Sequence, residues 1–434
     1  MRNWSGHLRW QPSVYLQPDS EEAIKQLVIK AAEEGRKIRV IGSGHSFSSL
    51  CPTDDYLMSL DNFQGIIEVN AASKQVRVRA GTKLNQLNLD LAKHGLALEN
   101  LGDIDVQSIA GAISTGTHGT GLDYGNLSTQ VRALSMINGK GELIHCSPQE
   151  RYELFKAAQI SLGSLGVITE VTLQCVSAYR LKLFSEKKEI GELLEQLEQI
   201  NQNNRHFEFY WLPHTEYVMT KELNESEEEV DKSGFKEYVQ EMLLENYAFK
   251  LLCETSRIFP GLTRRLSRFA ASMIGPHQKI SESYRVFSTK RIVRFNEMEY
   301  NVPLSAYKEV KKELMQWVNK NGRNILFPIE NRFVKGDDIY LSPAYERDSA
   351  YLAVHVYNKK DFRSYFSGIE AILKAHDGRP HWGKMHSLRA EELAQRYPAF
   401  NHFNQLREEQ DPQAVFLSPY MQELLIGAKS KTID

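Results

Sequence analysis

Residues 108–121, SIAGAISTGTHGTG, form a run with almost no side-chain bulk. The run contains Gly111, Gly116, Gly119 and Gly121, and it is too long for a single turn. Because glycine has no Cβ, such a backbone can approach a large planar or phosphorylated ligand closely. Tight packing between secondary-structure elements is the alternative, but four glycines within eleven positions favour contact with a ligand.

Two shorter glycine-bearing segments lie next to predicted strands. The first, GSGHS at 42–46, follows the strand 37–41, so its backbone N–H groups can face an anion. Phe47 occupies the place of the third glycine of a Rossmann fingerprint, which excludes that turn. Taken alone, this segment is best explained as a turn with an incidental histidine. The second, 161–166, adds two glycines before the strand 167–173, and the three segments together predict an extended dinucleotide held by loops.

A charged pair interrupts the apolar segment FPIENRF, residues 327–333. If this segment is a strand, Glu330 and Arg332 point to the same face because side chains alternate. A structural ion pair contributes little to stability if it is exposed. Alternatively, the pair lines a substrate pocket, where the guanidinium binds oxygens and the carboxylate positions a hydroxyl group. The residues alone leave both interpretations open.

Two other segments carry titratable side chains. His355 lies in YLAVHVY, residues 351–357, a predicted strand in which a lone histidine is more often a core residue than a catalyst. His381, Lys384 and His386 lie in the irregular segment RPHWGKMH, which predicts a loop. Loops carry function more often than their share of sequence suggests. The two histidines have no carboxylate partner in the segment, so no metal site is predicted.

The periodicity of the chain divides it into three parts. Up to about residue 175, helical and strand patterns alternate, including a helix that begins after Ser20 and a hairpin over 131–146. In the middle, strand-like runs flank a mostly helical stretch, 235–275, which predicts helices over a mixed or antiparallel sheet. From about Gly378 the pattern is helical again, in a short C-terminal segment.

Composition excludes several classes of protein. The 434 residues include 53 Lys and Arg against 55 Asp and Glu, a net charge of −2, so no overall charge favours nucleic acid or an anionic membrane. Four cysteines without close pairs or zinc-ligand spacing, and an N-terminus without the apolar core of a signal peptide, predict a reduced, cytoplasmic protein. The basic amphipathic segment 257–274 is compatible with a membrane surface, but a solvated helix on a packed domain is favoured.

Four motifs, at 42–46, 110–121, 327–333 and 381–384, occur in this order and carry a resemblance to a known family. The set resembles the aldonolactone oxidoreductases of the vanillyl-alcohol-oxidase-like flavoprotein superfamily. The last two motifs and their surroundings look especially like the L-gulonolactone oxidase and D-arabinonolactone oxidase members. The resemblance covers nearly the whole chain and is weakest between about 180 and 300.

This resemblance implies the architecture of the chain. The fold class is α+β, with two domains of the vanillyl-alcohol-oxidase-like, PCMH-type FAD-binding fold. Residues 1–176 would form the FAD-binding domain, and residues 177–376 an α/β cap domain that carries the substrate side. The C-terminal segment, 377–434, would complete the FAD-binding domain.

Roles carry over from the family by position. The histidine of the first motif is commonly bonded to a methyl carbon of the flavin in the family, so FAD is predicted to be attached covalently through His45. Glu330 and Arg332 match the active-site pair, and Lys384 matches the lysine of the last motif. His355 has a counterpart in related alditol oxidases and completes the predicted catalytic set. The predicted cofactor-binding residues are Gly42, Ser43, Gly44, His45, Ser46, Ser108, Gly111, Ser114, Thr115, Gly116, His118, Gly119, Gly121, Gly166, Ile168, His381 and Lys384.

The resemblance also implies a reaction, the FAD-dependent oxidation of an aldono-1,4-lactone of the L-gulono-1,4-lactone type at C2, with hydride transfer to flavin N5. Dioxygen or another electron acceptor would reoxidise the flavin. His355 or Lys384 is the candidate base for the hydroxyl proton, and burial beside Arg332 would favour a neutral Lys384. Two alternatives stay open: an alditol oxidase acting on xylitol or sorbitol, and a flavin-binding module without catalysis. The small neutral lactone or polyol needs no strong electrostatic steering.

Overall fold

The computed structural model describes residues 1–231, 246–289 and 291–427. Its strands in chain order are β1 Val14–Leu16, β2 Ile38–Ile41, β3 Tyr56–Ser59, β4 Ile66–Asn70, β5 Gln75–Arg79, β6 Leu96–Ala97, β7 Val131–Asn138, β8 Leu143–Cys146, β9 Gly166–Gln174, β10 Val176–Ser177, β11 Arg180–Glu189, β12 His206–Trp211, β13 Tyr217–Glu225, β14 His277–Glu282, β15 Phe295–Pro303, β16 Ile329–Val334, β17 Ser349–Tyr357 and β18 Arg379–Pro380.

The described α-helices lie between and after these strands. They are Glu21–Glu33, Leu84–Lys93, Ile109–Ser114, Tyr152–Gln159, Ile190–Asn203, Ala248–Ile258, Thr263–Ser272, Ser283–Phe287, Tyr307–Asn321, Arg363–Ala375, Ala390–Arg396, Phe400–Gln410 and Pro419–Leu425. None of the described helices is both long and apolar enough to cross a membrane.

The N-terminal region is built on two sheets, a parallel one in the order β1-β3-β2 and an antiparallel one in the order β4-β5-β9-β7-β8. The first helix begins where predicted, because the Ser20 side chain accepts a hydrogen bond from the N–H of Ala23. Its buried residues Ile24, Val28 and Ala31 follow helical spacing and face the core. The predicted hairpin is confirmed, with β7 and β8 paired across a loop that begins at Gly139.

The cap sheet has eight strands in the order β14-β11-β13-β12-β16-β17-β15-β18, and every neighbouring pair is antiparallel. This decides between the mixed and antiparallel arrangements in favour of the second. Because residues alternate between faces, β12 and β16 place Phe209 and Phe333 on one face and Glu208 and Arg332 on the other. The apolar face packs against the helix Tyr307–Asn321, where Tyr307 meets Phe333 edge-on.

A lysine is buried under this apolar face. The Nζ of Lys311 lies 2.9 Å from Oδ1 of Asn331 and over the ring of Trp211, with no exposed surface. No carboxylate pairs with Lys311 among the described residues, and burial holds its pKa well below the usual value. The folded protein therefore favours the neutral amine, whereas the unfolded chain binds a proton below its ordinary pKa.

We expect the Lys311→Met variant to be more stable than the wild type, by about 1–3 kcal/mol near pH 7, because a buried amine is replaced by an apolar chain of similar length. The unfolded wild-type chain holds the extra proton, so wild-type stability falls as the pH falls and the advantage of the variant grows. Chemical denaturation at pH 6.5 and pH 9 measures both effects. Lys308→Met, on the exposed side of the same helix, is the matched control. An advantage that shrinks on acidification would contradict this account.

The described part of the middle of the chain is mostly helical, as predicted. Residues 235–245 of the predicted stretch 235–275 lie outside the described residues. The rest contains the helices Ala248–Ile258 and Thr263–Ser272, which replace the single helix expected over 257–274. Phe259, between the two helices, and Phe269, on the second, are both more than half exposed.

The C-terminal segment contacts both halves of the molecule. Its strand β18 pairs with β15 at the edge of the cap sheet. Further on, the N–H of Ile38 donates to the carbonyl of Val415 (2.8 Å), and the N–H of Gly139 donates to that of Gln410 (2.9 Å). Arg39 is buried and donates to the carbonyl of Phe416. These contacts attach the end of the chain to the N-terminal sheets, and the domain bounds remain a prediction.

Candidate active site

A cavity that is open to solvent lies among the loops of the N-terminal region. Its walls come from the segment 42–46, from the start of the glycine-rich run and from the beginning of β9. The predicted cofactor-binding residues that line it are Gly42, Ser43, Gly44, His45, Ser46, Ser108, Gly111, Ser114, Thr115, Gly166 and Ile168. The structure therefore brings together three glycine-bearing segments that are far apart in sequence.

The cavity has the donors and the shape that an extended phosphorylated cofactor needs. The backbone N–H groups of residues 43–46 donate no hydrogen bond within the described part of the chain, so they are free to bind an anion at the cavity wall. At Gly42, an added Cβ would lie 2.5 Å from Oγ of Ser108, so glycine allows these two walls to meet without a shift of the Ser108 hydroxyl. The wall residues are thus suited to a dinucleotide.

Three glycines of the run, Gly116, Gly119 and Gly121, were expected to bind the cofactor but do not line this cavity. A Cβ at Gly119 would lie 2.3 Å from the carbonyl oxygen of Leu101, and one at Gly116 would meet Ile160. A Cβ at Gly121, where φ is +130°, would lie 2.8 Å from the carbonyl oxygen of Arg205. Close packing, the alternative considered for this run, explains these three positions: the neighbours include backbone at Gly119 and Gly121, and they are side chains at Gly116, where φ is +70°.

The polar face of the cap sheet lies beside this region and is assembled by strand register. Arg332 on β16 is opposite Glu208 on β12 and Tyr351 on β17. One pair further along, Glu330 lies opposite Ala353. Directly opposite residues project from the same face of a sheet, so the strand order brings polar residues of several strands together.

A guanidinium occupies the centre of the first cluster on this face. Arg332 Nε lies 2.7 Å from Oε2 of Glu208, and one of its terminal nitrogens lies 2.5 Å from Oε1 of Glu330 and also contacts Asp103. Arg291 pairs with Asp103 at 2.7 Å, and Lys221 pairs with Glu208 at 2.9 Å, which balances three carboxylates with three cations. We name Asp103, Glu208, Glu330, Arg332, Arg291 and Lys221 the arginine cluster.

Burial and neighbouring charges set the protonation of the arginine cluster. Burial raises the pKa of Glu330, and Asp103 and Glu208 add to this while Arg332 opposes it. Burial would also raise the pKa of Asp103, but Arg332, Lys221 and Arg291 lower it overall. Glu330 is therefore the carboxyl group of the cluster that holds a proton most readily.

A second cluster surrounds Lys384. Its Nζ lies 2.6 Å from Oε1 of Glu297 and 3.9 Å from Oε2 of Glu299. The same oxygen of Glu297 lies 3.4 Å from Nε2 of His355, and Oε1 of Glu299 lies 3.1 Å from Nε2 of His118. Burial would raise the pKa of Glu297, but Lys384 and His355 lower it well below the usual value. We name these five residues the lysine cluster.

The lysine cluster corrects one expectation about the base. Lys384 was expected beside Arg332, whose positive charge would favour a neutral amine. Its recorded ion-pair partners are the carboxylates of Glu297 and Glu299, whereas Arg332 pairs only within the arginine cluster in the described part of the chain. The expected contact of Lys384 with Arg332 is therefore replaced by contacts with two carboxylates.

Within the described ranges, two sets of side chains are close enough together to hold a metal ion: His118, Glu299 and His381, and Asp103, Glu208 and Glu330. Arg332 already occupies the second set, and Lys384 faces the first. In the first set, Nδ1 of His381 accepts a hydrogen bond from the N–H of Gly383, and burial lowers the pKa of this histidine to about 3. Both sets have cationic partners, so we assign no metal to either.

The loop that carries Lys384 is fixed against the loop that carries His45. The N–H of Phe47 donates to the carbonyl of Gly383 at 2.7 Å, and the ammonium of Lys384 lies over the Phe47 ring. His45 lines the cavity, and burial, with Lys384 nearby, lowers its pKa to about 4. The cofactor cavity and the lysine cluster are therefore neighbours.

Several residues of these clusters were not anticipated from the sequence. Glu208 lies between two phenylalanines on β12, and Glu297 and Glu299 lie on either side of Met298 on β15. Carboxylates within a predicted strand are the signal that would have found them, because such groups are almost never buried without a partner. Asp103 lies in a loop and has no such periodic signal.

Comparison with known proteins places the chain in a family. The family model described as D-arabinono-1,4-lactone oxidase matches residues 171–424, and one described as an FAD binding domain matches residues 12–147. The chain belongs to the D-arabinono-1,4-lactone oxidase family. It is an FAD-dependent oxidoreductase, as the resemblance implied, and the cavity lined by residues 42–46 lies in the part that matches the FAD binding domain.

Relatives of this family member match along its full length. It is 38% identical over 424 residues to the L-gulono-1,4-lactone dehydrogenase of Mycobacterium tuberculosis, covering 98% of each chain. It is 33% identical over 430 residues to the L-gulonolactone oxidase of Mus musculus, covering 98% of this chain and 97% of the other.

A solved structure shares the fold at low identity. The cholesterol oxidase of Brevibacterium sterolicum superimposes with a TM-score of 0.83 at 18% identity, over 98% of this chain and 96% of that one. The expected two-domain, vanillyl-alcohol-oxidase-like α+β fold is confirmed.

Proposed function

We propose that this protein oxidises an aldono-1,4-lactone of the L-gulono-1,4-lactone type at C2. The observation that carries the proposal is the polar face of the cap sheet, where Arg332 is buried on β16 and the partly buried Lys384, in the loop after β18, pairs with Glu297 of β15 near His45 of the cofactor cavity. The full-length relatives named for L-gulonolactone support the choice of substrate. A small polyhydroxylated ring needs such a dense set of fixed donors and acceptors.

The residues of the two clusters divide the work of the reaction. When bound, FAD supplies the acceptor for the hydride that leaves the carbon. Arg332 and Lys384 bind substrate oxygens and stabilise the negative charge that develops when the hydroxyl proton leaves. His355 accepts that proton, and Glu297 holds the imidazole and the ammonium in place. Glu330 positions a substrate hydroxyl group as a hydrogen-bond partner.

Anaerobic mixing of the flavin-loaded protein with candidate substrates tests this proposal. We expect L-gulono-1,4-lactone or a related aldonolactone to bleach the flavin absorbance, whereas xylitol and sorbitol leave it unchanged. Bleaching by xylitol or sorbitol alone would mean an alditol oxidase. A yellow protein that none of these compounds reduces would exclude catalysis of this class. Readmission of dioxygen, or addition of an artificial electron acceptor, then shows which of the two reoxidises the flavin.

We further propose that the FAD is bonded covalently to His45. The side chain lies in the cavity wall, and its lowered pKa of about 4 keeps the ring neutral and nucleophilic at neutral pH. After denaturing electrophoresis, we expect a fluorescent flavin band for the wild type and none for His45→Ala. Ser43→Ala, in the same wall, is the matched control and should keep the band. A band of undiminished intensity in His45→Ala would refute the attachment site.

A further inference from the structure

The first ten residues fold back on themselves into a compact unit, which we name the N-terminal clip. The amino group of Met1 donates to the carbonyl of Trp10 at 2.7 Å, and Arg2 pairs with Arg9 in an antiparallel bridge. Oδ1 of the buried Asn3 accepts hydrogen bonds from three groups further along the clip. These bonds hold residues 1–10 together as one unit.

The clip bonds to the loop that carries His45. The side-chain amide of Asn3 donates to the carbonyl of Ser46 at 3.1 Å. The backbone N–H of Trp4 donates to the carbonyl of Gly44 at 2.8 Å. Between these two bonds, the indole of Trp4 stacks on the imidazole of His45, with ring centroids 5.5 Å apart and planes inclined by 23°. The clip therefore fixes the backbone on both sides of the histidine and the plane of its ring.

The clip is itself anchored to the cap sheet. The indole of Trp4 packs edge-on against Phe295, the first residue of β15, at 5.1 Å. The side-chain amide of Asn358, just after β17, donates to the carbonyl of Ser5 at 3.3 Å. The indole that stacks on His45 therefore also packs against β15, the strand that carries Glu297 and Glu299 of the lysine cluster.

We propose that the N-terminal clip positions His45 for covalent attachment of the flavin, with Asn3 and Trp4 as the positioning residues. The proposal rests on the covalent attachment proposed above, and it names the residues that orient the His45 imidazole for that attachment. A nucleophile held in one orientation reacts faster than one that rotates freely. Two hydrogen bonds and a stacked ring provide that constraint here, on a loop whose glycines would otherwise leave the histidine mobile.

A ring nitrogen of His45 forms a bond to the carbon of the flavin methyl group, and that carbon loses a C–H proton while the imidazole loses its N–H proton. The electron pair released from the methyl carbon passes into the flavin ring, which takes up two protons and is reduced by two electrons. Dioxygen or the electron acceptor of the proposed reaction then reoxidises the attached flavin.

The rate of covalent attachment tests the clip directly. Protein produced under riboflavin limitation is incubated with FAD, and covalent flavin is followed as fluorescence after denaturing electrophoresis. Total bound flavin and the melting temperature are measured on the native sample. We expect Trp4→Ala to bind FAD but to attach it at least about tenfold more slowly than the wild type, because the imidazole loses its stacking partner. Trp4→Phe keeps a stacked ring and should restore the rate.

Matched variants separate the possible outcomes. Tyr15→Ala removes an exposed aromatic residue of the same region and should attach flavin at the wild-type rate. A wild-type rate in Trp4→Ala would overturn the role of the clip and leave attachment at His45 intact. Absence of covalent flavin in the wild type would overturn the attachment and the clip together. If Trp4→Ala does not fold, Asn3→Ala is measured instead, because it leaves the indole in place. Slower attachment in Asn3→Ala would support the role of the clip, and a wild-type rate would overturn it.

Discussion

Replacing Arg332 by Met should lower kcat/KM for the lactone by about 10³-fold, because the variant loses the positive charge that stabilises the developing oxyanion. The effect should appear in kcat rather than in KM alone, since this charge is needed most in the transition state. Stopped-flow measurement of flavin reduction isolates the chemical step. Arg332→Lys should recover only part of the rate, because an ammonium cannot reproduce the planar contacts to Glu208 and Glu330.

Loss of this guanidinium also leaves the arginine cluster with three carboxylates and two cations. An uncompensated buried charge costs about 3–5 kcal/mol, so Arg332→Met should unfold more easily. The double variant Arg332→Met with Glu208→Gln restores the balance of charge. We expect it to recover stability and flavin content but not turnover. Recovery of turnover together with stability would mean that Arg332 acts only on the structure.

Replacing Lys384 by Met should lower kcat/KM by about 10²–10³-fold, since a fixed donor to the substrate oxygen is lost. If Lys384 were instead the base, the pH–rate profile of the Lys384→Met variant would lose the limb that reports deprotonation of the base. We expect that limb to remain in Lys384→Met and to disappear in His355→Asn. Flavin reduction by the lactone, measured across the pH range, distinguishes the two assignments.

Lys384→Met needs a control because Glu297 loses its lysine partner and keeps only its contact with His355. Loss of stability and loss of turnover must therefore be separated. Glu297→Gln in the Lys384→Met background removes the unpaired carboxylate and should restore stability without restoring turnover. Lys374→Met, which breaks a partly exposed pair with Glu392, should change neither property by much. Wild-type turnover in Lys384→Met would exclude the lysine from the site.

The local elements of this fold were predictable, but their assembly was not. The alternation in FPIENRF predicted that Glu330 and Arg332 share a face, and β16 confirms it. The same rule applied to β12 and β15 identifies their carboxylates as inward-facing only once the strand order is known. That order places sequence-distant strands side by side, and periodicity within one strand carries no information about it.

The glycine-rich run shows a second limit of the sequence. Its small residues predict close approach by something, but they do not say whether a ligand or a neighbouring backbone approaches. Gly111 lines the cofactor cavity, whereas Gly119 packs against Leu101. The partner in each case comes from a distant part of the chain, so local composition cannot separate the two. The clip was missed for a similar reason, since Asn3 and Trp4 carry no periodic signal.

The hydrogen bonds of Ile38 and Arg39 with the carbonyls of Val415 and Phe416 have a consequence for biosynthesis. The strand that leads into the cofactor loop leaves the ribosome early, but its partners emerge only after nearly all of the chain has been translated. Domains usually fold as units while they are made. Here the strand that leads into the cavity wall gains these partners only after residues 415 and 416 have been synthesised, so we expect stable flavin binding to require that stretch of the chain.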